Sequence, residues 1–113
     1  MGFPNFAITN QICNVEHYTL GSPFAQSLTY VFEDMERMTP TQAGYNYYSI
    51  SPFSNNAIVY GHATCNTALS YEDCKECLDS AKVYLGQACF GSIGGQLSYV
   101  DCFMRYESYS FSR

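Results

Sequence analysis

Residues 65–77 read Cys-Asn-Thr-Ala-Leu-Ser-Tyr-Glu-Asp-Cys-Lys-Glu-Cys and hold three of the six cysteines in this chain of 113 residues. Within the stretch, Ser70 is a good helix cap, and Glu72 and Asp73 favour the positive end of a helix dipole. The sequence therefore predicts a helix that begins after Ser70. Its apolar residues follow helical spacing and form one stripe: Cys74, Cys77, Leu78, Ala81 and Leu85. Two cysteines lie on this buried face, so we expect disulfides to staple the helix to the elements beneath it.

A second helix is predicted upstream, with Ser22 as its cap and Pro23 at its first position. Apolar residues again follow helical spacing: Phe24, Leu28, Val31, Phe32 and Met35. The Thr-Pro pair at 39–40 ends this helix. The neighbouring carboxylates Glu33 and Asp34 point apart on it and are expected to be solvated.

The remaining segments predict strands and a fold class. The candidate strands cover residues 8–12, 45–50, 57–64, 96–100 and 103–109. A polar loop over 51–56 joins the second strand to the third, and a turn near Asp101 joins the last two. The order of strands and helices predicts an α+β fold, an antiparallel sheet of about five strands with two helices packed on one face.

Composition indicates one folded, disulfide-bonded domain over residues 1–113. Hydrophobic residues make up 47% of the chain and charged residues only 13%, below the usual quarter, which argues against disorder. The six cysteines form an even set in a short chain, typical of three disulfides and an oxidising compartment: Cys13, Cys65, Cys74, Cys77, Cys89 and Cys102. Six cysteines allow about fifteen pairings, and spacing alone does not choose among them.

Charge and hydropathy exclude two classes of partner. The net charge of −5 and the five scattered Lys and Arg residues argue against nucleic acid and anionic membranes. No stretch approaches the roughly 18 apolar residues of a membrane span. No signal peptide precedes the domain, so we interpret the chain as a mature domain behind an added Met1. A longer parent with a second domain or a membrane anchor stays open as an alternative.

Enzymatic chemistry is poorly supported by the residues present. Cys65, Cys74, Cys77 and His62 can in principle bind zinc, and the Cys-Lys-Glu-Cys at 74–77 can in principle act as a redox pair. An even set of six cysteines with only two histidines favours disulfides instead. His17 and His62 lack any hydrolase motif. We therefore expect no catalysis, no metal and no cofactor.

The spacing Cys65-x8-Cys74-x2-Cys77 resembles the plant stress-antifungal domain family. This cysteine-rich module occurs in ginkbilobin-like secreted proteins and in the ectodomains of cysteine-rich receptor-like kinases. Four further stretches resemble the family: Cys-Asn at 13–14, Gly-Ser-Pro-Phe at 21–24, Tyr-Gly-His-Ala-Thr-Cys at 60–65 and Val-Asp-Cys-Phe-Met-Arg-Tyr-Glu at 100–107. The resemblance implies three disulfide pairs: Cys13–Cys89, Cys65–Cys74 and Cys77–Cys102.

The resemblance also implies a mannose site made of an Asn, an Arg and a Glu. The Asn falls on Asn14 and the Glu on Glu107, but the Arg position holds Gln96. A lost charge-assisted hydrogen bond costs about 1–3 kcal/mol, and Glu107 is expected to lose a neighbouring positive charge as well. Alternatively, both residues are structural: Asn14 then satisfies backbone groups at a turn, and Glu107 pairs with Arg105 or with solvent.

Two functions follow as hypotheses. The first is a secreted, apoplastic plant defence protein that binds mannose or mannan-type glycan of the fungal cell wall and is antifungal. The second is an apoplastic protein-interaction module with a decayed sugar site, either receptor-ectodomain-like or a partner of another secreted protein. It rests on Gln96, the low charge and eleven tyrosines, of which Tyr45, Tyr47 and Tyr48 are the expected exposed set.

Overall fold

The computed structural model describes residues 4–53 and 57–112, so residues 54–56 of the predicted 51–56 loop lie outside the described residues. The strands are β1 (Ile8–Cys13), β2 (Asn46–Ile50), β3 (Tyr60–Cys65), β4 (Gly95–Tyr99) and β5 (Cys102–Glu107). The helices are α1 (Pro23–Met38) and α2 (Tyr71–Ala88), and two short 3-10 turns, Thr39–Thr41 and Ala43–Tyr45, lead from α1 into β2.

The five strands form one antiparallel sheet in the order β1-β4-β5-β3-β2. Helix α1 packs on β2 and β3, and α2 packs mainly on β4 and β5. Alternate side chains of each strand point toward the helices or away from them. The predicted α+β fold is therefore confirmed, with one sheet face covered by helices. The opposite face, called the outer face below, carries the side chains of Gln96, Arg105, His62 and Tyr48 in one cross-strand row.

The core lies between the helices and the inner face of the sheet. Both predicted helical stripes are buried there, and they meet inward residues of the central strands: Ala63, Leu97, Met104 and Tyr106. Gly61 marks the closest approach of α1 to the sheet, because a β-carbon there would lie 2.5 Å from Cγ1 of Val31 and 2.8 Å from Sδ of Met35.

The two helix starts differ in how they are capped. Ser70 caps α2 as predicted, since its hydroxyl accepts a hydrogen bond from the Asp73 N–H at 3.1 Å. Ser22 occupies the N-cap position of α1, but its hydroxyl makes no capping hydrogen bond, so that part of the prediction was wrong. The Ala25 N–H, which a cap would use, instead donates to the Ser22 carbonyl oxygen at 3.1 Å.

Three disulfides tie α2 to three different strands. Cys74 is bonded to Cys65 at the end of β3, and Cys77 to Cys102 at the start of β5. Cys89, directly after α2, is bonded to Cys13 at the end of β1. These are the three pairs that the family resemblance implies, and they account for all six cysteines.

Asp34 connects α1 to β2 through a buried carboxylate. It accepts hydrogen bonds from the Tyr47 hydroxyl at 2.7 Å, the Ser49 hydroxyl at 2.8 Å and Nη2 of Arg37 at 2.9 Å. Burial, and then the hydrogen bond to Asp34, raises the pKa of Tyr47 to about 12. The expectation that Asp34 is solvated was wrong, whereas Glu33 beside it is exposed. Sequence spacing could not show that β2 brings two hydroxyl donors to this carboxylate.

We predict that Asp34→Ala lowers the free energy of unfolding by about 3 kcal/mol, because it leaves the buried Ser49 hydroxyl and the half-buried Tyr47 hydroxyl without their acceptor. Urea denaturation followed by circular dichroism measures the change. Glu33→Ala is the matched control and should change stability by less than about 0.5 kcal/mol, since its side chain is exposed. Equal effects of the two substitutions would contradict the role given to Asp34.

A second prediction concerns the disulfides. Cys13 and Cys89 are 76 residues apart, and the chain-entropy model assigns this cross-link about 4.5 kcal/mol, against about 2.7 kcal/mol for Cys65–Cys74. Replacing Cys13 and Cys89 together by Ser should therefore lower the urea midpoint more than the same replacement of Cys65 and Cys74. The reverse order would show that native packing around Cys65–Cys74 outweighs loop entropy.

Candidate functional site

A cleft of about 250 Å³ opens where β1 ends, β4 begins and β5 ends. Its lining includes all three residues expected at a sugar site: Asn14, Gln96 and Glu107. It also includes Ile12, Arg105 and Tyr109, which were not expected there. The cleft lies at the edge of the outer face, close to the Cys13–Cys89 disulfide. Residues from three parts of the chain therefore form one polar concavity.

Asn14 is held rigidly at one side of the cleft. Its backbone N–H donates to the Gly94 carbonyl oxygen at 2.8 Å, and Cys13 before it is fixed by the disulfide. Its side-chain oxygen accepts a hydrogen bond from the Glu16 N–H at 2.8 Å, which closes a local turn. The structural role expected as an alternative for Asn14 is thus real. It uses one of the two acceptor positions of the amide oxygen, so Asn14 can offer a ligand its amide NH₂ and the second acceptor position.

Glu107 lies at the opposite side, and its residue is only 7% exposed. Its carboxylate rests against the Gly94 backbone so closely that a β-carbon at position 94 would collide with Oε1. The other oxygen, Oε2, accepts a hydrogen bond from Nε of Arg105 at 2.8 Å. This ion pair offsets part of the cost of burying the carboxylate.

Arg105 supplies the positive charge that was expected to be missing. Gln96 and Arg105 are direct cross-strand partners in the β4–β5 ladder, and both line the cleft. The expectation that Glu107 loses its cationic neighbour was therefore wrong, because β5 provides the guanidinium that β4 lacks. Burial by itself would lower the pKa of Arg105, but the hydrogen bond and charge of Glu107 raise it above its ordinary value.

The sequence contained a signal for Arg105. A tight turn near residues 100–101 places 96 opposite 105, and strand alternation places 105 and 107 on the same face. The alternative given for Glu107, that it pairs with Arg105, is confirmed, whereas the position of Arg105 opposite Gln96 was not considered.

The C-terminal residues 108–112 cross the outer face and orient Arg105. The Phe111 ring centroid lies 4.1 Å from the Arg105 guanidinium carbon, a cation–π distance, and Nη2 of Arg105 donates to the Tyr109 hydroxyl at 3.3 Å. The Tyr48 hydroxyl holds the end of this segment by donating to the Ser112 carbonyl oxygen at 2.9 Å. Contacts with Phe111, Tyr109 and Glu107 thus hold the Arg105 guanidinium in place without a ligand.

The tyrosines expected to be exposed divide into two groups. Tyr48 is 46% exposed and stacks on His62, with ring centroids 4.0 Å apart. Tyr45 and Tyr47 are half-buried, and their hydroxyls donate to the Leu69 carbonyl oxygen and to Asp34. Exposure of all three was therefore a wrong expectation.

The cysteine pairing bears on the zinc and redox alternatives. Cys74 and Cys77 are bonded to different partners rather than to each other, and each has a fully buried side chain. Both alternatives need thiols or a Cys74–Cys77 bridge, so this arrangement does not support them. Between residues 4 and 53 and between 57 and 112, none of the helices combines the length and apolar character needed to cross a bilayer.

The fold and the disulfides define a cysteine-rich α+β domain, and comparison with known proteins assigns its family. The family model described as salt stress response/antifungal matches residues 12–109. The chain is 34% identical to antifungal protein ginkbilobin-2 of Ginkgo biloba, over 95% of this chain and 80% of that protein. It is 32% identical to antifungal protein ginkbilobin-like protein 1 of Picea sitchensis, over 96% and 82%. The chain belongs to the salt stress response/antifungal family.

A solved structure has the same fold. The tandem DUF26 ectodomain of the Arabidopsis thaliana cysteine-rich receptor-like protein PDLP5 matches with a TM-score of 0.83 at 23% sequence identity. The match covers 93% of this chain and 51% of that one, so this chain spans about half of the tandem ectodomain.

Proposed function

We propose that this protein is a secreted plant defence protein that binds mannose-type carbohydrate, such as the mannan of fungal cell walls, and inhibits fungal growth. The observation that carries the proposal is the cleft in which Asn14 and Gln96 face the Arg105–Glu107 ion pair. Antifungal activity is proposed from the names of the two relatives above, and secretion from the three disulfides, which persist in oxidising compartments.

The side chains of the cleft suit a neutral ligand with several hydroxyl groups. The Glu107 carboxylate accepts hydrogen bonds, the Arg105 guanidinium and Asn14 amide donate them, and Gln96 can do both. Because Arg105 and Glu107 neutralise each other, the cleft has no net charge with which to attract an ion. Hydrogen bonds from a sugar hydroxyl to either charged group are still strengthened by that charge.

The size of the cleft predicts weak binding of a single sugar. Its volume of about 250 Å³ is below the range of about 300–1,000 Å³ that is typical of small-molecule pockets. Arg105 and Glu107 are already paired, so a sugar must compete with or add to an existing interaction. We therefore expect a millimolar dissociation constant for free mannose.

Isothermal titration of mannose tests this site, and the Gln96–Arg105 pair gives a specific design. Arg105→Gln should weaken binding about 10- to 100-fold, because a hydrogen bond to a charged group contributes about 1.5–3 kcal/mol. The double variant Gln96→Arg/Arg105→Gln moves the guanidinium back to the strand where the family resemblance places it and should recover much of the lost affinity. Asn14→Ala should also weaken binding.

Arg37→Gln is the control, because Arg37 is an exposed arginine on α1 outside the cleft, and it should bind mannose like the wild type. A wild type without saturable binding would overturn the proposed lectin function. Binding that is unchanged by Arg105→Gln would remove Arg105 from the site. Growth inhibition of a mannan-walled fungus by the same variants should follow the order of their affinities.

A protein-interaction function is the second candidate, and one surface favours it. Val15 is 87% exposed and Phe90 is 67% exposed, although both are apolar. They belong to two segments that are paired at His17 and Ser92, and Val15 directly follows Asn14 of the cleft. Val15→Ser/Phe90→Ser should abolish recovery of a specific partner from apoplastic fluid if this surface binds protein, while mannose binding is unchanged.

A further inference from the structure

A second cavity, of about 270 Å³, lies on the outer face at the other end of β4 and β5. Its lining includes residues from three neighbouring strands and from the turn that joins β4 to β5: Thr64, Asn66, Ser98, Val100, Asp101 and Phe103. Ser98 and Thr64 are the direct cross-strand partners of Phe103, one on each side. The three outward side chains therefore form one row across the sheet.

This row lies next to the row of the first cleft. Gln96 and Ser98 are alternate residues of β4, and Arg105 and Phe103 are alternate residues of β5, so all four point outward. Successive outward residues of a strand are about 7 Å apart, since each residue advances the strand by about 3.3 Å. The two rows are thus about 7 Å apart, a distance that a short oligosaccharide spans.

We propose that the second cavity is a further sugar subsite, and that the ligand of this protein is an oligosaccharide chain laid along β4 and β5. The proposal rests on the carbohydrate-binding function proposed above, and it names the ligand class more closely. Each cavity by itself is smaller than a typical ligand pocket. An oligosaccharide that occupies both cavities makes more contact with the protein than a single sugar ring in one of them.

The chemistry of the second cavity fits a sugar ring. Phe103 is half-buried and its ring meets His62 edge-on, with centroids 5.7 Å apart, which holds the ring in place. An aromatic ring can stack on the apolar C–H face of a pyranose. The hydroxyls of Thr64 and Ser98 on either side can both donate and accept, as the sugar hydroxyls at the ring edge require.

The charged side chain in the lining of this cavity, Asp101, is buried and hydrogen-bonded within the fold. The Asp101 carboxylate accepts hydrogen bonds from the Asn5 N–H at 2.7 Å and from Nδ2 of Asn66 at 3.0 Å. The Asn66 side-chain oxygen in turn accepts from the Ala68 N–H at 3.0 Å. The Asp101 carboxylate is buried and already hydrogen-bonded, so it offers a charged ligand little direct contact.

A peptide is a less suitable ligand for the same surface. Extended peptides commonly bind by adding a strand to a sheet edge, where backbone groups are unpaired. Both cavities lie over β4 and β5, which are central strands with a hydrogen-bonded neighbour on each side. Recognition at this place must use side chains, as it does for a sugar chain.

The experiment compares dissociation constants of mannose and of linear mannose oligosaccharides of increasing length. For the wild type, affinity should rise about tenfold or more once the chain reaches the second cavity, the gain of one aromatic stacking contact with its hydrogen bonds. Phe103→Leu and Thr64→Val should remove this gain with chain length and leave the affinity for free mannose unchanged. Thr29→Val makes the same chemical change on an exposed residue of α1 and should retain the gain.

Amide chemical shifts provide a second readout that does not depend on the variants. Resonances of Ser98, Phe103 and Thr64 should move with the longer oligosaccharide and stay in place with mannose, whereas those of Asn14 and Gln96 should move with both. Mannose binding without any gain for longer chains would overturn the second subsite and leave the proposed function intact. Absence of binding by both mannose and the oligosaccharides would overturn both proposals.

Discussion

The attachment of α2 to three strands is the constraint on which the rest of the structure depends. Disulfides join this helix to the last residue of β3 and the first residue of β5, and join the residue after the helix to the last residue of β1. A chain of this size buries a limited share of its surface, so the cross-links add stability by restricting the unfolded chain. They also fix the positions of strands that are far apart in sequence, and so determine which side chains meet on the outer face.

The candidate sugar cleft is a direct consequence of that arrangement. The Cys13–Cys89 bond holds the end of β1, and with it Asn14, beside the start of β4. The antiparallel β4–β5 ladder then brings Arg105 opposite Gln96, two residues before Glu107. The Asn14 amide and the Arg105–Glu107 pair are held by hydrogen bonds, so these groups lose little conformational freedom when a ligand binds.

The position of Arg105 opposite Gln96 shows that a group needed at one place on a sheet face can come from either of two paired strands. Cross-strand partners lie side by side on a sheet face, so a guanidinium on β5 can reach the same part of the cleft as one on β4. A comparison of single positions finds a lost arginine at Gln96. When the cross-strand partner of Gln96 is included, the cleft does contain a guanidinium, that of Arg105, which contacts Glu107 and the Phe111 ring.

The sequence by itself determined the local elements, the fold class and the family of this protein. Cap residues, the two helical stripes and strand alternation are short-range patterns, and they predicted both helices and all five strands to within a few residues. It did not determine that Asp34 is buried, that Ser22 makes no cap, or that Arg105 lies opposite Gln96, and it left the pairing of Glu107 with Arg105 as one of two alternatives. Only the tertiary structure decided these, because each depends on strand pairing or on contacts between residues distant in the chain, which no local pattern records.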